Sequence, residues 1–166
     1  MPERPVGADE PVYRPTARVL LLDESDRLLM FSSKDDRDGH TFWYPVGGGC
    51  EEGETFEQAA VREVFEETGL TRIVLGPAVW RRRRTASWGG RTYDCDERYF
   101  TARVTAFDVD TGGFTEMERS SVVSIRWWTL DELGATTDRL VPGRLHRHLA
   151  ELLAEGPPRE PVVLKS

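Results

Sequence analysis

The stretch GGGCEEGETFEQAAVREVFEETGL, which runs from Gly47 to Leu70, carries most of the information about fold and function in this chain. It crowds glutamates into a short segment that has glycines at both ends. Like charges that lie three or four residues apart on a helix repel each other. Some feature of the folded protein must therefore offset that repulsion, and its nature is the first question that the sequence poses.

Local signals within this stretch predict a helix from about Thr55 to Thr68. Thr55, with Gln58 three residues later, forms a capping box, and Gly69 stands where a left-handed C-terminal cap is favoured. At about 100° per residue, one arc of the helix is mostly apolar and suits packing on a sheet. This arc consists of Ala60, Val61, Val64, Phe65 and Thr68.

Glutamates occupy an adjoining arc of the same helix. Glu63, Glu66 and Glu67 are spaced so that their carboxylates are neighbours on the helix surface. A solvated acidic face is the simplest interpretation of a charge run, but such faces usually include lysines, and this segment contains none. Clustered oxygen ligands with excess negative charge instead favour a hard divalent cation, Mg²⁺ or Mn²⁺. The cation would offset the repulsion, and the preceding glycines would let a ligand approach the backbone.

The spacing of these residues resembles the Nudix box, which ends in an Arg-Glu-aliphatic-any-Glu-Glu-any-Gly-aliphatic run. Every defined position is filled, by Gly48, Glu54, Arg62, Glu63, Val64, Glu66, Glu67, Gly69 and Leu70. Many members have proline directly before the two glycines, whereas Val46 holds that place here and Pro45 lies one position earlier; no ligand is lost. The resemblance implies an α/β/α sandwich with a mixed sheet, and hydrolysis of a nucleoside diphosphate linked to another moiety.

The resemblance also implies roles for individual residues. The implied metal ligands are the backbone carbonyl of Gly47 and the carboxylates of Glu63, Glu66, Glu67 and, from a strand beside the helix, Glu97. Glu54 and Arg62 resemble the pair that braces the loop against the helix. With two carboxylates of the box, the expected catalytic residues are Glu54, Arg62, Glu66 and Glu67. The general base stays open, because the family recruits it from different places. Its candidates are Glu66, Glu67, Asp96, Glu97, Glu116 and Glu118.

The rest of the chain is consistent with one domain. Segments rich in β-branched and aromatic residues predict strands on both sides of the helix, and GRLHRHLAELLAE predicts a C-terminal helix. Residues 12–155 are therefore expected to form a single Nudix-like domain. Residues 1–11 and 156–166 are rich in proline, glycine and charge, and we predict that both are flexible ends.

Composition narrows the classes of function. With 39% hydrophobic and 31% charged residues, the chain has the make-up of a globular protein. Its net charge of −7 argues against a general nucleic-acid binder, whose footprint is basic. The longest apolar stretch, near Leu20, is too short to cross a bilayer, and the N-terminus has no apolar signal core, so we expect a cytoplasmic protein without membrane contact. The expected partner is a small nucleotide, and a homodimer is compatible with the sequence.

A second unusual stretch, WRRRRTASWGGRTY, begins at Trp80. Side chains alternate along a strand, so at most two of the four arginines can face one site. We assign Arg81 and Arg83 to phosphate binding and Trp88 to stacking on a base, with Trp80 and Tyr93 as alternative stacking residues. An exposed basic strand with aromatic residues in the core explains the same pattern equally well.

The favoured function is metal-dependent hydrolysis of a phosphoanhydride bond in a substrate such as a (d)NTP, a nucleotide sugar or ADP-ribose. A Nudix-fold module that binds a nucleotide without turnover is the alternative. Such a module would be expected to lose box carboxylates, and this chain keeps them all. Isomerisation of an isoprenoid diphosphate is disfavoured by the intact box and by the lack of recognisable isomerase motifs.

Overall fold

The computed structural model describes residues 10–109, 112–114, 116 and 122–165. The predicted flexible N-terminus, residues 1–11, lies outside the described residues except for its last two positions. The elements in chain order are β1 (Val12–Leu22), β2 (Leu28–Lys34), β3 (Thr41–Gly49), α1 (Phe56–Thr68), β4 (Ala78–Trp88), β5 (Arg91–Arg103), β6 (Ser124–Trp128), α2 (Leu130–Ala135), β7 (Arg139–Leu140), α3 (Leu145–Glu155) and β8 (Val162–Leu164).

The described strands form one mixed sheet, in the order β6-β2-β3-β1-β5-β4-β8, with β7 beside β3. β1 pairs with β5 in parallel along its whole length, from Val12 opposite Tyr93 to Leu22 opposite Arg103. The β1–β3, β2–β3, β2–β6 and β4–β5 pairs are antiparallel. The predicted mixed sheet is therefore confirmed.

Both faces of the sheet are covered, because successive residues of a strand point to opposite sides. On one face, Ala17, Val19 and Leu21 of β1 pack in a core with α1. On the other face, Leu20 and Leu22 pack in a core with α2 and α3. The predicted α/β/α sandwich is confirmed. No helix in the described part of the chain is long and apolar enough to cross a membrane.

The caps of α1 agree with the prediction, and its buried face agrees in part. Thr55 and Gln58 form the reciprocal capping box, and Gly69 adopts a left-handed conformation with φ of 83°. Of the predicted arc, Ala60, Val64 and Thr68 are buried, whereas Val61 and Phe65 are 42% and 51% exposed. The helix is rotated so that its buried face includes carboxylates, because that face lies against the glycines of β3, which have no side chains.

The C-terminal tail differs from the flexible end that was predicted for residues 156–166. Residues Val162–Leu164 form β8, which pairs in parallel with β4 and places Val162 opposite Trp80. Leu164 is buried in the core beside α3. β8 covers an edge strand whose backbone groups would otherwise lack partners, and this long-range pairing outweighs the local composition.

Candidate active site

The glycines that end β3 lie against the buried face of α1. The N–H of Gly47 donates a hydrogen bond of 3.1 Å to Oε2 of Glu67, which ties the end of the strand to the helix. At Gly48, an added β-carbon would stand 2.5 Å from Oε1 of Glu63, closer than real β-carbons come to any atom. A larger residue at position 48 would therefore have to displace the carboxylate of Glu63.

Arg62 is the cation that joins the glutamates of this segment. Its guanidinium donates to both oxygens of Glu54 at 2.8 Å, to Glu63 at 2.9 Å and to Glu66 at 3.1 Å. It also donates to the carbonyl of Gly49 at 3.0 Å. The hydrogen bond from Arg62 lowers the pKa of Glu54 to about 2. One side chain thus joins the loop, the strand end and the helix.

The carboxylates of α1 fit a divalent cation by their chemistry. Glu63 and Glu67 line a cavity of about 520 Å³, and Glu66 lies beside Arg62 with its side chain 34% exposed. These carboxylates and the carbonyls of the glycine run supply only oxygen donors, the class that Mg²⁺ and Mn²⁺ prefer. Within the described residues, no three His, Cys, Asp or Glu side chains are grouped as a metal site. Glu63 contacts Arg62, and Glu67 contacts the N–H of Gly47.

Arg18 is a site residue that the sequence did not reveal. It lies on β1, lines the cavity, and its Nη1 atom donates to the carbonyl oxygens of Gly47 at 3.0 Å and Pro45 at 3.3 Å. The carbonyl expected as a metal ligand therefore already accepts one hydrogen bond and keeps a second lone pair. In the sequence Arg18 is one polar residue within a strand, with no motif around it.

Glu97 lines the same cavity but is surrounded by cations. Its Oε1 atom accepts a hydrogen bond of 3.1 Å from Nε of Arg84. Its Oε2 atom accepts one of 3.1 Å from the hydroxyl of Tyr99 and lies 3.2 Å from Nε of Arg82. Burial raises the pKa of this carboxyl, but three nearby guanidiniums outweigh burial and hold the pKa below its ordinary value. Glu97 is thus an ionised partner of arginines.

The other candidates for the general base lie away from the cavity or outside the described residues. Asp96, next to Glu97 on β5, faces the other side of the sheet and accepts a hydrogen bond of 2.9 Å from the hydroxyl of Tyr13. Glu116 is exposed and is not among the residues that line the cavity. Glu118 lies outside the described residues.

The arginines of β4 alternate in the sense opposite to the one assigned from the sequence. Arg82 lies opposite Glu97 in the β4–β5 ladder, so the even-numbered arginines share the face of the cavity. Arg84 lines the cavity with Trp88. Arg83 instead donates to Asp94 at 2.9 and 2.6 Å, and Arg81 lies 3.7 Å from Asp96. The structure therefore brings Trp88 to the cavity but neither Arg81 nor Arg83.

The cavity lining combines aromatic rings with arginines. Four rings that form a chain of contacts line it, those of Phe31, Phe42, Tyr44 and Phe114. Arg14, Arg18 and Arg84 line it as well, and the guanidinium carbon of Arg18 lies 5.5 Å from the centroid of the Tyr44 ring. Trp88 stacks on Tyr93 with ring centroids 3.8 Å apart, and the guanidinium carbon of Arg14 lies 5.1 Å from the centroid of the Trp88 ring. Such a lining suits a ligand that combines an aromatic ring with phosphate groups.

Comparisons with known proteins agree with this geometry. A sequence model described as the NUDIX domain matches residues 12–151. The RNA pyrophosphohydrolase of Sphingopyxis alaskensis is 28% identical over 158 residues, covering 88% of this chain and 96% of that protein. The dihydroneopterin triphosphate diphosphatase of Escherichia coli K12 is 43% identical over 62 residues, covering 36% and 39%. The crystal structure of the MutT protein from Methanosarcina mazei Go1 shares the fold, with a TM-score of 0.63 at 18% identity over 88% of this chain and 96% of that one.

Proposed function

The chain belongs to the NUDIX family, and we propose that it is a divalent-metal-dependent pyrophosphohydrolase acting on a nucleoside diphosphate linked to another group. The observation that carries this proposal is the set of α1 carboxylates facing a cavity beside the glycines of β3. Relatives that match much of the chain are pyrophosphohydrolases. A module that only binds nucleotides would have no need to keep buried carboxylates at the cavity wall, where their mutual repulsion costs free energy.

The metal site that we propose consists of Glu63, Glu66, Glu67 and the carbonyl of Gly47. When bound, a Mg²⁺ or Mn²⁺ ion neutralises phosphate oxygens and lowers the pKa of a water molecule. Glu54 stays ionised at neutral pH because its pKa is about 2, so its ion pair with Arg62 keeps the loop attached to the helix. We assign the general base to Glu66 or Glu67.

For Glu97 we propose a positioning role. Its carboxylate is engaged by the guanidiniums of Arg82 and Arg84, and Arg84 also lines the cavity. A buried carboxylate that holds a guanidinium in one orientation reduces the side-chain entropy that phosphate binding would otherwise cost. We propose that Arg84, with Arg14, contacts the phosphates of the substrate, in place of Arg81 and Arg83.

For the substrate we propose a small nucleotide, such as a (d)NTP, a nucleotide sugar or ADP-ribose. Support comes from a cavity of about 520 Å³ whose lining combines aromatic rings with arginines. The RNA 5′ end is the second candidate, because relatives that match most of the chain are RNA pyrophosphohydrolases.

A panel assay tests this function. Nucleoside triphosphates, nucleotide sugars, ADP-ribose and a 5′-triphosphorylated RNA are incubated with Mg²⁺ or Mn²⁺, and the products are resolved by chromatography. The Glu67→Gln variant should lose most turnover, whereas Glu57→Gln, which changes an exposed glutamate in the first turn of the same helix, should keep it. Equal turnover by Glu67→Gln and the wild type would refute the metal-site assignment. Tight nucleotide binding without cleavage by the wild type would favour the non-catalytic module.

A further inference from the structure

A second cavity, of about 710 Å³, lies on the α3 side of the sheet, between β4, β7, β8 and the start of α3. Within the described residues, its lining contains no acidic side chain. Its polar side chains are all basic or imidazole, and they belong to Arg82, Arg139, Arg144, His148 and Lys165. This concentration of positive charge stands out in a chain whose net charge is −7.

Arg82 is the residue of this cavity that most needs a ligand. Its side chain is only 8% exposed, and its Nε atom is a buried donor without a hydrogen bond to any described residue. Its contact with Glu97, at 3.2 Å, is an ion pair without hydrogen-bond geometry. Glu97 also accepts a hydrogen bond from Arg84, so one carboxylate faces two guanidiniums. Because Arg82 shares this carboxylate with Arg84, it keeps excess positive charge at the cavity.

Neighbouring elements add further positive charge at the same place. Arg144 and Lys165 are exposed and form no ion pair with a described residue, whereas Arg139 is matched by Asp35 and Asp38. Arg144 also precedes the first turn of α3, which has no acidic residue and no side-chain cap. The positive end of the helix dipole therefore adds to the charge of the side chains.

We propose that this cavity is a second anion-binding site, which takes a small molecule with two or more linked phosphate groups. Guanidinium forks, a lysine and a helix N-terminus are the groups that bind phosphate oxygens in proteins. The cations come from three separate places, Arg82 on β4, Arg144 before α3 and Lys165 after β8. An anion with more than one phosphate group can contact several of them at once. This cavity adjoins the catalytic cavity: Val141 is the one described residue that lines both, and Arg82 pairs with Glu97 of the catalytic cavity. The proposal goes beyond the proposed function and does not depend on it.

Titration calorimetry with inorganic pyrophosphate tests the site. The full chain is kept in EDTA at constant ionic strength, so that no divalent cation bridges the anion to the α1 carboxylates. The variant Arg144→Ala/Lys165→Ala changes two exposed side chains and should bind pyrophosphate roughly tenfold more weakly, which corresponds to about 1.4 kcal/mol. The matched control is Arg147→Ala, which removes an exposed arginine of α3 that does not line the cavity, and it should bind as the wild type does.

Two results would overturn the assignment of pyrophosphate binding to this cavity. Unchanged affinity in the Arg144→Ala/Lys165→Ala variant would show that pyrophosphate does not bind in this cavity. An equal loss in Arg147→Ala would show that the anion responds to the overall charge of the surface. A further comparison uses orthophosphate as the titrant with the wild type. Orthophosphate should bind at least tenfold more weakly than pyrophosphate, and equal affinity for both would contradict the requirement for linked phosphates.

Discussion

Gly48 lies so close to Glu63 that a β-carbon at position 48 would stand 2.5 Å from Oε1 and 2.7 Å from Cδ of that glutamate. The side chain of Glu63 is nearly buried and accepts a hydrogen bond from Arg62, so it has little room to move away. The glycine of the box and the first glutamate of the cluster therefore form one steric unit. Through this contact, the backbone at the end of β3 determines where a proposed metal ligand stands.

The Gly48→Ala substitution should destabilise the protein and weaken metal binding, because the new methyl group displaces the carboxylate of Glu63. Inserting a methyl group into a packed region costs about 1–3 kcal/mol of unfolding free energy, which urea denaturation would measure. In a Glu63→Ala background, the same change at position 48 should cost less than about 0.5 kcal/mol, because the colliding atoms are gone. An equal cost in both backgrounds would show that the strain arises elsewhere.

The ion pair between Glu54 and Arg62 should make stability depend on pH in a defined window. The pKa of Glu54 falls from an ordinary value of 4.5 to about 2 in the folded protein. Because the folded-state pKa is the lower one, the ionised carboxylate stabilises the fold fully above about pH 4.5, and this contribution is lost as the pH falls toward 2. The difference in unfolding free energy between the wild type and Glu54→Gln should therefore shrink across that window.

Urea titrations at a series of pH values would measure this difference. Glu57→Gln is the matched control, since Glu57 is exposed in the first turn of the same helix, and its difference from the wild type should change much less with pH. A difference between the wild type and Glu54→Gln that is the same at pH 6 and pH 2.5 would contradict the assigned ion pair.

Local signals in the sequence predicted the helix ends correctly, because each depends on a few neighbouring residues. The capping box of Thr55 and Gln58 and the left-handed Gly69 are examples. The rotation of the helix was not predictable from its own residues. The expected arc is buried at Ala60, Val64 and Thr68. The structure exposes its other members, Val61 and Phe65, and buries Glu63 and Glu67 instead. What decides the rotation is the side-chain-free surface of the β3 glycines, which is a tertiary feature.

The direction in which the β4 arginines point was not predictable either, because alternation says only which residues share a face. The pairing of Arg82 with Glu97 and of Arg84 with Cys95 resolves that choice. Arg18 left no signal, because its role arises from the antiparallel pairing of β1 with the end of β3, which places Arg18 opposite Gly47. The position of the tail is likewise set by a distant partner, β4.

The assignment of phosphate binding to Arg84 rather than Arg83 can be tested with adjacent substitutions. Arg84→Ala should lower kcat/KM by roughly tenfold or more, because a hydrogen bond to a charged group contributes about 1.5–3 kcal/mol. Arg83→Ala should change kcat/KM by less than about twofold, because Arg83 is exposed, does not line the cavity and forms a surface ion pair with Asp94. Steady-state kinetics on the substrate found in the panel would measure both values. A larger loss in Arg83→Ala would restore the assignment made from the sequence.

Adding Mg²⁺ or Mn²⁺ to the metal-free protein should raise its Tm, because an ion that binds only the folded state stabilises it. At an ion concentration of about 100 times Kd, the expected gain is about 2.7 kcal/mol. Glu67→Gln should lose most of this metal-dependent rise in Tm. Its metal-free Tm should stay the same or rise slightly, because one of the neighbouring negative charges on α1 is gone. Glu57→Gln should shift with metal as the wild type does. If Glu67→Gln keeps the full shift, the ion binds at a place other than the α1 carboxylates, even if catalysis is lost.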